Sequence, residues 1–449
     1  MAASAEANRP LRLGIFDGLF RSTDGGERAR WLDQAGADRS ELALSIVDWS
    51  AVAPVDLGAG FSPTDPADPA YDWGTIDAFV RDTAVRKLEP ILSVTRAPEW
   101  AEGKRRPAGV DPGTWKPDPG GLRDFAQALA TRYSGGFIPS GTGEALPKVR
   151  YFQAWTEPNL PDHLAPQWRG RTPKSPAIFR SLLNGFYAGV KSVSKSNRVI
   201  TAGTSPYGDE PGGLRMRPLR FWREVLCLRD RRTLRPTPCP TKPKFDVLAH
   251  HPINTSGPPQ QSAIDPDDVS SPDLGSLQRT LHKAERVNHV LPAGKRPLWV
   301  TEFWWESDPP SKRGVNPQTQ ARYIAESLYL FWKAGAEVAV NLRIRDGSRG
   351  EGEAGTGLYY LNGEPKPSAQ AFRFPFVADR AGPGKLTLWG KAPAAGKVIV
   401  ERKRGKEWQP ATTLRAGKNR IFLGKMAQRG KAELRARVEG ERSLVWKQR

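Results

Sequence analysis

The stretch Val149-Arg150-Tyr151-Phe152-Gln153-Ala154, followed at once by Trp155-Thr156-Glu157-Pro158-Asn159, decides how the rest of the chain is read. A short apolar run stops abruptly at a cluster of polar and aromatic residues that includes an acid. The same pattern recurs along the chain. Strand-like runs fall at Leu11–Phe16, Leu42–Val47, Pro90–Val94, Val149–Ala154, Val199–Ala202, Phe245–Ala249, Leu298–Val300 and Val338–Leu342. Between them lie stretches with apolar residues three and four apart, the spacing of helices packed by one face. Trp73–Glu89 follows Asp72 as an N-cap, and Leu122–Tyr133 and Ile178–Val193 read the same way. Gln320–Ala336 is the most regular, with Gly335 at the C-cap position. Eight strands alternating with helices over residues 11–376 imply an α/β chain, a closed (β/α)8 TIM barrel. A doubly wound sheet would need a Gly-rich phosphate turn after the first strand, and Gly14–Gly18 lacks that spacing.

The texture changes near Gly382. Short alternating runs at Lys385–Trp389, Lys397–Arg402, Thr412–Leu414, Arg420–Leu423, Ala432–Val438 and Leu444–Trp446, with Gly between them, imply a small all-β sandwich module over residues 383–449. Charge is concentrated there. The chain of 449 residues has a net charge of +20, and residues 385–449 supply 18 Lys and Arg against 5 Asp and Glu. The expected partner of that basic surface is an anionic glycan or cell wall. Nucleic acid is not expected, because no zinc-finger spacing, aromatic RNP sequence or P-loop accompanies the charge. No apolar run approaches the length of a membrane span.

The only cysteines, Cys227 and Cys239, bracket a polar segment rich in Pro and Arg. They read either as a disulfide staple, which implies an oxidising compartment, or as two unrelated thiols. The first ten residues have no apolar signal core, though Ala3-Ser4-Ala5 fits the remnant of a cleavage site. The expectation is a secreted or cell-surface protein. Five histidines, widely separated except for His250-His251, offer no zinc pattern, so no metal and no cofactor are expected.

In a barrel of this kind the reactive groups come from the C-terminal ends of the strands. Those ends present Asp17, Asp48-Trp49, Arg96 and Trp100, Trp155-Thr156-Glu157-Pro158-Asn159, His250-His251-Pro252, Thr301-Glu302-Phe303-Trp304-Trp305 and Arg343. Strands four and seven face each other across the mouth, which puts Glu157 opposite Glu302. Two opposed carboxylates, one protonated and one ionised, are the equipment for cleaving a glycosidic bond. Asp48, Thr156 and Asn159 are further candidates for substrate contact. Trp49, Trp100, Trp155, Trp304 and Trp305 read either as platforms for sugar faces or as core. Arg96 and Arg343 read as contacts to a carboxylated or highly hydroxylated glycan, or as structural partners of Glu. For His251 a site role and a structural hydrogen bond both stand; for His250 the structural role is favoured.

At these residues the sequence resembles glycoside hydrolase clan A, the cellulase-like superfamily that contains families 5 and 39. The carriers are residues 155–159, residues 299–303, residues 245–252, and the closing Gly357-Leu358-Tyr359-Tyr360 with Pro365-Lys366-Pro367-Ser368-Ala369. The resemblance implies a retaining double displacement on a β-linked plant or microbial polysaccharide or oligosaccharide. It makes Glu302 the nucleophile, Glu157 the acid/base and His251 the family's strand-six histidine. Two departures stand out: Thr156 replaces the usual Asn before the acid/base, and Ile253 replaces a Tyr after His251-Pro252. A transglycosylase using the same pair and a non-catalytic carbohydrate-binding barrel are the alternatives. With Glu157 required as acid, its pKa is expected above the ordinary value and that of Glu302 below.

Overall fold

The computed structural model describes residues 9–254 and 257–448, so the suggested cleavage remnant at Ala3-Ser4-Ala5 lies outside the described residues. Eight parallel strands are present: β1 (Arg12–Phe16), β2 (Leu42–Asp48), β3 (Glu89–Thr95), β4 (Tyr151–Ala154), β5 (Arg198–Thr201), β6 (Leu248–His250), β7 (Leu298–Phe303) and β8 (Ala336–Leu342). Their order is β6-β7-β8-β1-β2-β3-β4-β5. Parallel bridges from Ile200 to Val247 and from Thr204 to His250 join β5 to β6 and close the barrel.

Side chains alternate along each strand, and the two resulting sets pack in different places. Leu42, Leu44, Ile91, Ile200, Val247, Ala249, Trp299, Val338 and Val340 fill the barrel interior, with Phe16 and Ile46 packed above them. The intervening residues, such as Ala43, Val47, Leu92 and Val94, join the outer layer beneath the helices. Burial on both faces is the reason these strands read as unbroken apolar runs. The filled interior is a plug, and it makes the floor of whatever cleft opens at the mouth.

Eight helices follow the strands: α1 (Gly25–Ala37), α2 (Gly74–Val85), α3 (Pro119–Arg132), α4 (Ser175–Val193), α5 (Pro218–Val225), α6 (Leu274–Arg286), α7 (Pro317–Lys333) and α8 (Pro367–Arg373). Short polar side chains satisfy exposed amides at several starts: Asp24, Asp118 and Asn316 accept from N–H groups in the first turns of α1, α3 and α7. Asp72, read as the cap of α2, stands one residue before the actual N-cap, Trp73, and accepts from Gly74 N at 3.0 Å. At the end of α7 the chain turns through Gly335 at φ 82°, a conformation a Cβ would oppose. No helix among the described residues is long and apolar enough to cross a membrane.

The antiparallel part starts earlier than residue 383. Strand β9 (Phe376–Arg380) pairs with β10 (Lys385–Lys391), which pairs with β13 (Ile421–Ala427). The second sheet holds β11 (Gly396–Arg404), β12 (Glu407–Ala416) and β14 (Glu433–Val438). Trp389 packs on Trp332 and Tyr329 of α7, with ring centroids 5.8 and 5.4 Å apart. Glu41, just before β2, pairs with Lys391 and Arg420 at 3.1 and 2.5 Å. An aromatic seam and an ion-pair cluster therefore tie the module to the barrel. Cys227 and Cys239 form a disulfide that closes the loop after α5.

Candidate active site

The C-terminal ends of the strands surround a cleft of about 620 Å³. The backbone leaves several of these strands in an unusual way. Arg96 after β3, Trp155 and Glu157 after β4, and Arg343 after β8 all have positive φ, at 55°, 72°, 36° and 50°. Left-handed conformation in non-glycine residues is costly, and it persists where the surroundings fix it. Here it turns Arg96, Glu157 and Arg343 into the cleft.

Glu157 and Glu302 meet there around His251. The His251 Nδ1 lies 2.9 Å from Glu157 Oε1 and 4.0 Å from Glu302 Oε2. Those two oxygens are therefore no more than about 7 Å apart, the sum of the two legs. The carboxylates retain 17% and 16% side-chain exposure, enough to be reached from the cleft and little enough to be desolvated. His251 is buried, and its Nε2 lies 3.2 Å from the Thr301 hydroxyl on β7. Its position depends on Gly203, where a Cβ would stand 2.0 Å from Nε2. Gly203 also accepts the Glu157 amide at 2.9 Å.

The electrostatics differ from the sequence expectation. Burial pushes the Glu157 carboxyl up, but the hydrogen bond from His251 and the charges of His251 and His163 outweigh it and hold the group below its ordinary value. Burial pushes Glu302 up to about 8, reinforced by the negative charges of Glu157 and Glu353 and opposed by His251. Burial alone would lower His251, yet the two carboxylates raise it. Glu302 therefore carries the dyad's proton in the free protein near neutral pH, while the contact between His251 and Glu157 favours the charged form of each. The physical reason is distance: His251 donates to Glu157 and only faces Glu302.

The expected residues divide into two groups. Arg96, Thr156, Glu157, Glu302 and Arg343 line the cleft. Trp304 is half-buried beside Glu302, and its indole N–H favours the charged carboxylate without making a well-formed hydrogen bond. The others turn inward. Trp49 is fully buried, packed on Phe125 and edge-on to Trp100. The Trp100 indole donates to Pro54 O at 2.9 Å in that same aromatic cluster. Trp155 is buried and donates to His163 O at 2.8 Å, and Trp305 is buried and donates to Ser327 on α7 at 3.0 Å. The Trp100, Trp155 and Trp305 indoles find their partners in the protein and Trp49 is packed in the core, so none is a platform in the cleft. Asn159 is buried and ties the β4 and β5 loops, donating to Ser205 O and Met216 O. Asp48 caps the short turn Trp49–Val52 through Ser50. His250 is neutral, lowered to about 4 by burial, and bonds Thr204 and Val269.

Three contributors were not singled out as site residues. Asp17 at the end of β1 accepts from the amides of Leu19, Ile344 and Arg345 and fixes the β8 loop over the cleft. His163 stands 3.8 Å from Glu157 Oε2. Glu353 also lines the cleft, and burial raises its pKa. No group of residues that could hold a metal ion is found among the described residues.

No protein-family model matches the chain, and no curated protein matches it in sequence. Solved structures do. A family 39 glycoside hydrolase from the gut symbiont Bacteroides cellulosilyticus WH2 is similar at a TM-score of 0.56 and 16% identity, over 94% of this chain and 80% of that one. A GH39 enzyme from Xanthomonas axonopodis pv. citri gives 0.52 and 13%, over 95% and 94%. A GH39 β-xylosidase from Caulobacter crescentus gives 0.51 and 16%, over 94% and 96%. At these identities the likeness establishes a shared fold.

Proposed function

We propose that this chain is a retaining glycoside hydrolase acting on β-linked glycans, with Glu302 as nucleophile and Glu157 as acid/base. One observation carries the proposal: two desolvated carboxylates on opposed strands, bridged by one histidine, form the floor of an open cleft. Their near-oxygen limit of about 7 Å favours the roughly 5–5.5 Å carboxyl separation of retaining enzymes over the wider inverting range. The clan A fold of the three similar structures supports the reaction class.

The free-state proton distribution is compatible with this chemistry because the dyad already holds the one proton it needs. A sugar bound with its anomeric carbon over Glu302 places developing positive charge beside that carboxyl and favours its ionised form. The leaving oxygen beside Glu157 favours the protonated acid. Substrate binding therefore moves a proton from Glu302 towards Glu157 without changing the total. Glu302 then attacks to form the glycosyl ester while Glu157 protonates the leaving group. Water, deprotonated by Glu157, later opens the ester. We further propose that the protein works in an oxidising compartment, at or outside the cell surface, which the Cys227–Cys239 disulfide supports.

The test is a pair of variants. Glu302→Gly abolishes turnover of every substrate. Glu157→Ala retains activity on dinitrophenyl glycosides, whose leaving group departs without a proton, and azide accelerates it, giving the β-glycosyl azide. Equal loss on activated and unactivated substrates, with no azide effect, refutes the assignment of Glu157.

A further inference from the structure

A second cavity exceeds the cleft in volume. A groove of about 880 Å³ runs between α5, α6 and the disulfide-closed loop, on the outer side of the barrel. One wall is α6, where Arg279, Lys283 and Arg286 recur at i, i+4 and i+7 and so share a face. The facing wall is the loop held by Cys227–Cys239, which contributes Arg231 and Arg232. None of these five cations has a carboxylate within 4.0 Å among the described residues. The acids that line the same groove are already engaged. Asp265 and Asp268 pair with Arg217 at 3.4 and 2.8 Å, and Asp273 is held by Ser270 at the start of α6. Like charges gathered around one void repel, and an anionic occupant removes that cost.

We propose that this groove binds a polyanionic polysaccharide, one bearing carboxylate or sulfate groups. Two further observations narrow the occupant. Arg279 and Arg286 are seven residues apart, so the α6 cations alone extend over about 10 Å at 1.5 Å per residue, too far for one small anion to neutralise. Among the described residues no Phe, Tyr or Trp lines the groove, and His282 is its one aromatic ring, so it lacks the row of stacking platforms that single-stranded nucleic acid needs. The groove also adjoins a smaller pocket on the side of the catalytic face. Ala263, Ile264 and Asp268 line both the groove and a small pocket that reaches Pro206 and Ile253, two residues beyond His251. A chain lying in the groove can therefore extend towards the cleft. That last link rests on the glycosidase reading; binding in the groove does not.

The experiment uses the full chain with its disulfide intact. Binding of polygalacturonate, dextran sulfate, neutral dextran and single-stranded DNA is measured at low and moderate salt. Two charge-reversed variants are compared: R279E/K283E/R286E in the groove, and R404E/K406E/R415E on the basic module. At least one of the two anionic polysaccharides binds, the tighter one naming the acid group, and neutral dextran does not. The groove variant loses at least tenfold in affinity and the module variant less than threefold. Both variants melt near the parent temperature and turn over a small aryl glycoside unchanged, which separates this test from that of the catalytic residues. Unchanged binding in the groove variant overturns the proposal. So does an equal loss in both variants, or tighter binding of DNA than of either polysaccharide.

Discussion

Replacing His251 by Asn removes the one cation that stands between the two carboxylates, and its effect on the pH profile has a definite sign. The Nδ1 of His251 is 4.0 Å from Glu302. Opposite unit charges at that distance attract by about 4 kcal/mol at an effective dielectric of 20. At 1.36 kcal/mol per pKa unit that is a ceiling of about 3 units. Residual exposure of the carboxylate, water entering the vacated space and the new amide reduce it to about 1–2 units. Glu302 already has a pKa raised to about 8 in the free protein. The dyad is active while it holds one proton, between its two pKa values. Removing the cation raises the Glu302 pKa further, and because it is the higher of the two, the alkaline limb of kcat/KM moves to higher pH. Glu157 loses its hydrogen bond and also rises, and as the group of lower pKa it carries the acid limb the same way. The expected result is a bell displaced upward by about one unit or more, with a drop of about tenfold in kcat/KM on the acid side. The assay is kcat/KM across pH on an aryl glycoside, with thermal melting to check folding. A profile that stays in place, or moves to lower pH, refutes the claim that His251 is the charge holding the dyad.

The remaining predictions concern positioning, packing and docking. Gly203→Ala drives a methyl into the His251 ring and should displace the pH profile in the same direction as His251→Asn, with a stability loss of about 1–3 kcal/mol in urea; an unshifted profile would show that the ring does not depend on this glycine. Trp49→Ala should cost about 3–5 kcal/mol of stability yet leave KM unchanged in the protein that folds, since the ring lies in the core. Glu41→Gln leaves buried Lys391 beside Arg420 without a counter-charge and should cost about 3 kcal/mol. Because the Glu41 pKa is held below its ordinary value, that stabilisation is present above the unfolded pKa and fades as pH falls. The variant should therefore lose less stability than the parent on acidification, and parallel stability curves would argue against the role.

All eight strands are visible in the sequence because each is buried on both faces and reads as an apolar run. Glu157 and Glu302 are visible because they end opposed strands amid tryptophans; position after an apolar run is not enough by itself, since Asp17 and Asp48 sit there as loop and cap residues. Direction is what the sequence conceals. Alternation tells which way a side chain points only while the backbone stays extended. It fails at Trp155, where φ of 72° turns the indole inward to His163 O instead of towards the cleft. The sharp exits at Arg96 and Arg343 hide direction in the same way. His163 and Glu353 lie in irregular loops whose paths no local pattern dictates, although the scarcity of histidine was a usable signal: three of the five, His163, His250 and His251, gather at the end of β4 and β6. The distribution of protons was hidden for a related reason. The acid role suggested a protonated Glu157, but the pKa follows from which carboxylate His251 touches, and that contact joins residues 94 positions apart.

Charge is subject to the same gap between count and placement. By count the module is the basic part of the protein, yet many of its cations are engaged. Arg435 and Arg437 share Glu401 at 2.7 and 3.2 Å, Lys403 and Lys447 share Glu433 at 3.3 and 3.6 Å, and Lys391 and Arg420 face the barrel's Glu41. Its Glu441 in turn holds Arg373 of α8. Part of the module's charge thus pairs within its own sheets and part serves to hold it on the barrel. Residues 228–290 show the opposite. They contain 9 Lys and Arg against 7 Asp and Glu, almost neutral as a segment. Folding sorts those charges: Asp246 goes to Lys191, Asp267 to Arg223, and Asp265 and Asp268 to Arg217. With the acids drawn away to α4, α5 and the start of α5, the cations of α6 and of the disulfide loop are left facing one another across the groove. A net charge read along the sequence points to the module as an anionic-glycan surface; the pairing of each carboxylate adds the groove as a second one.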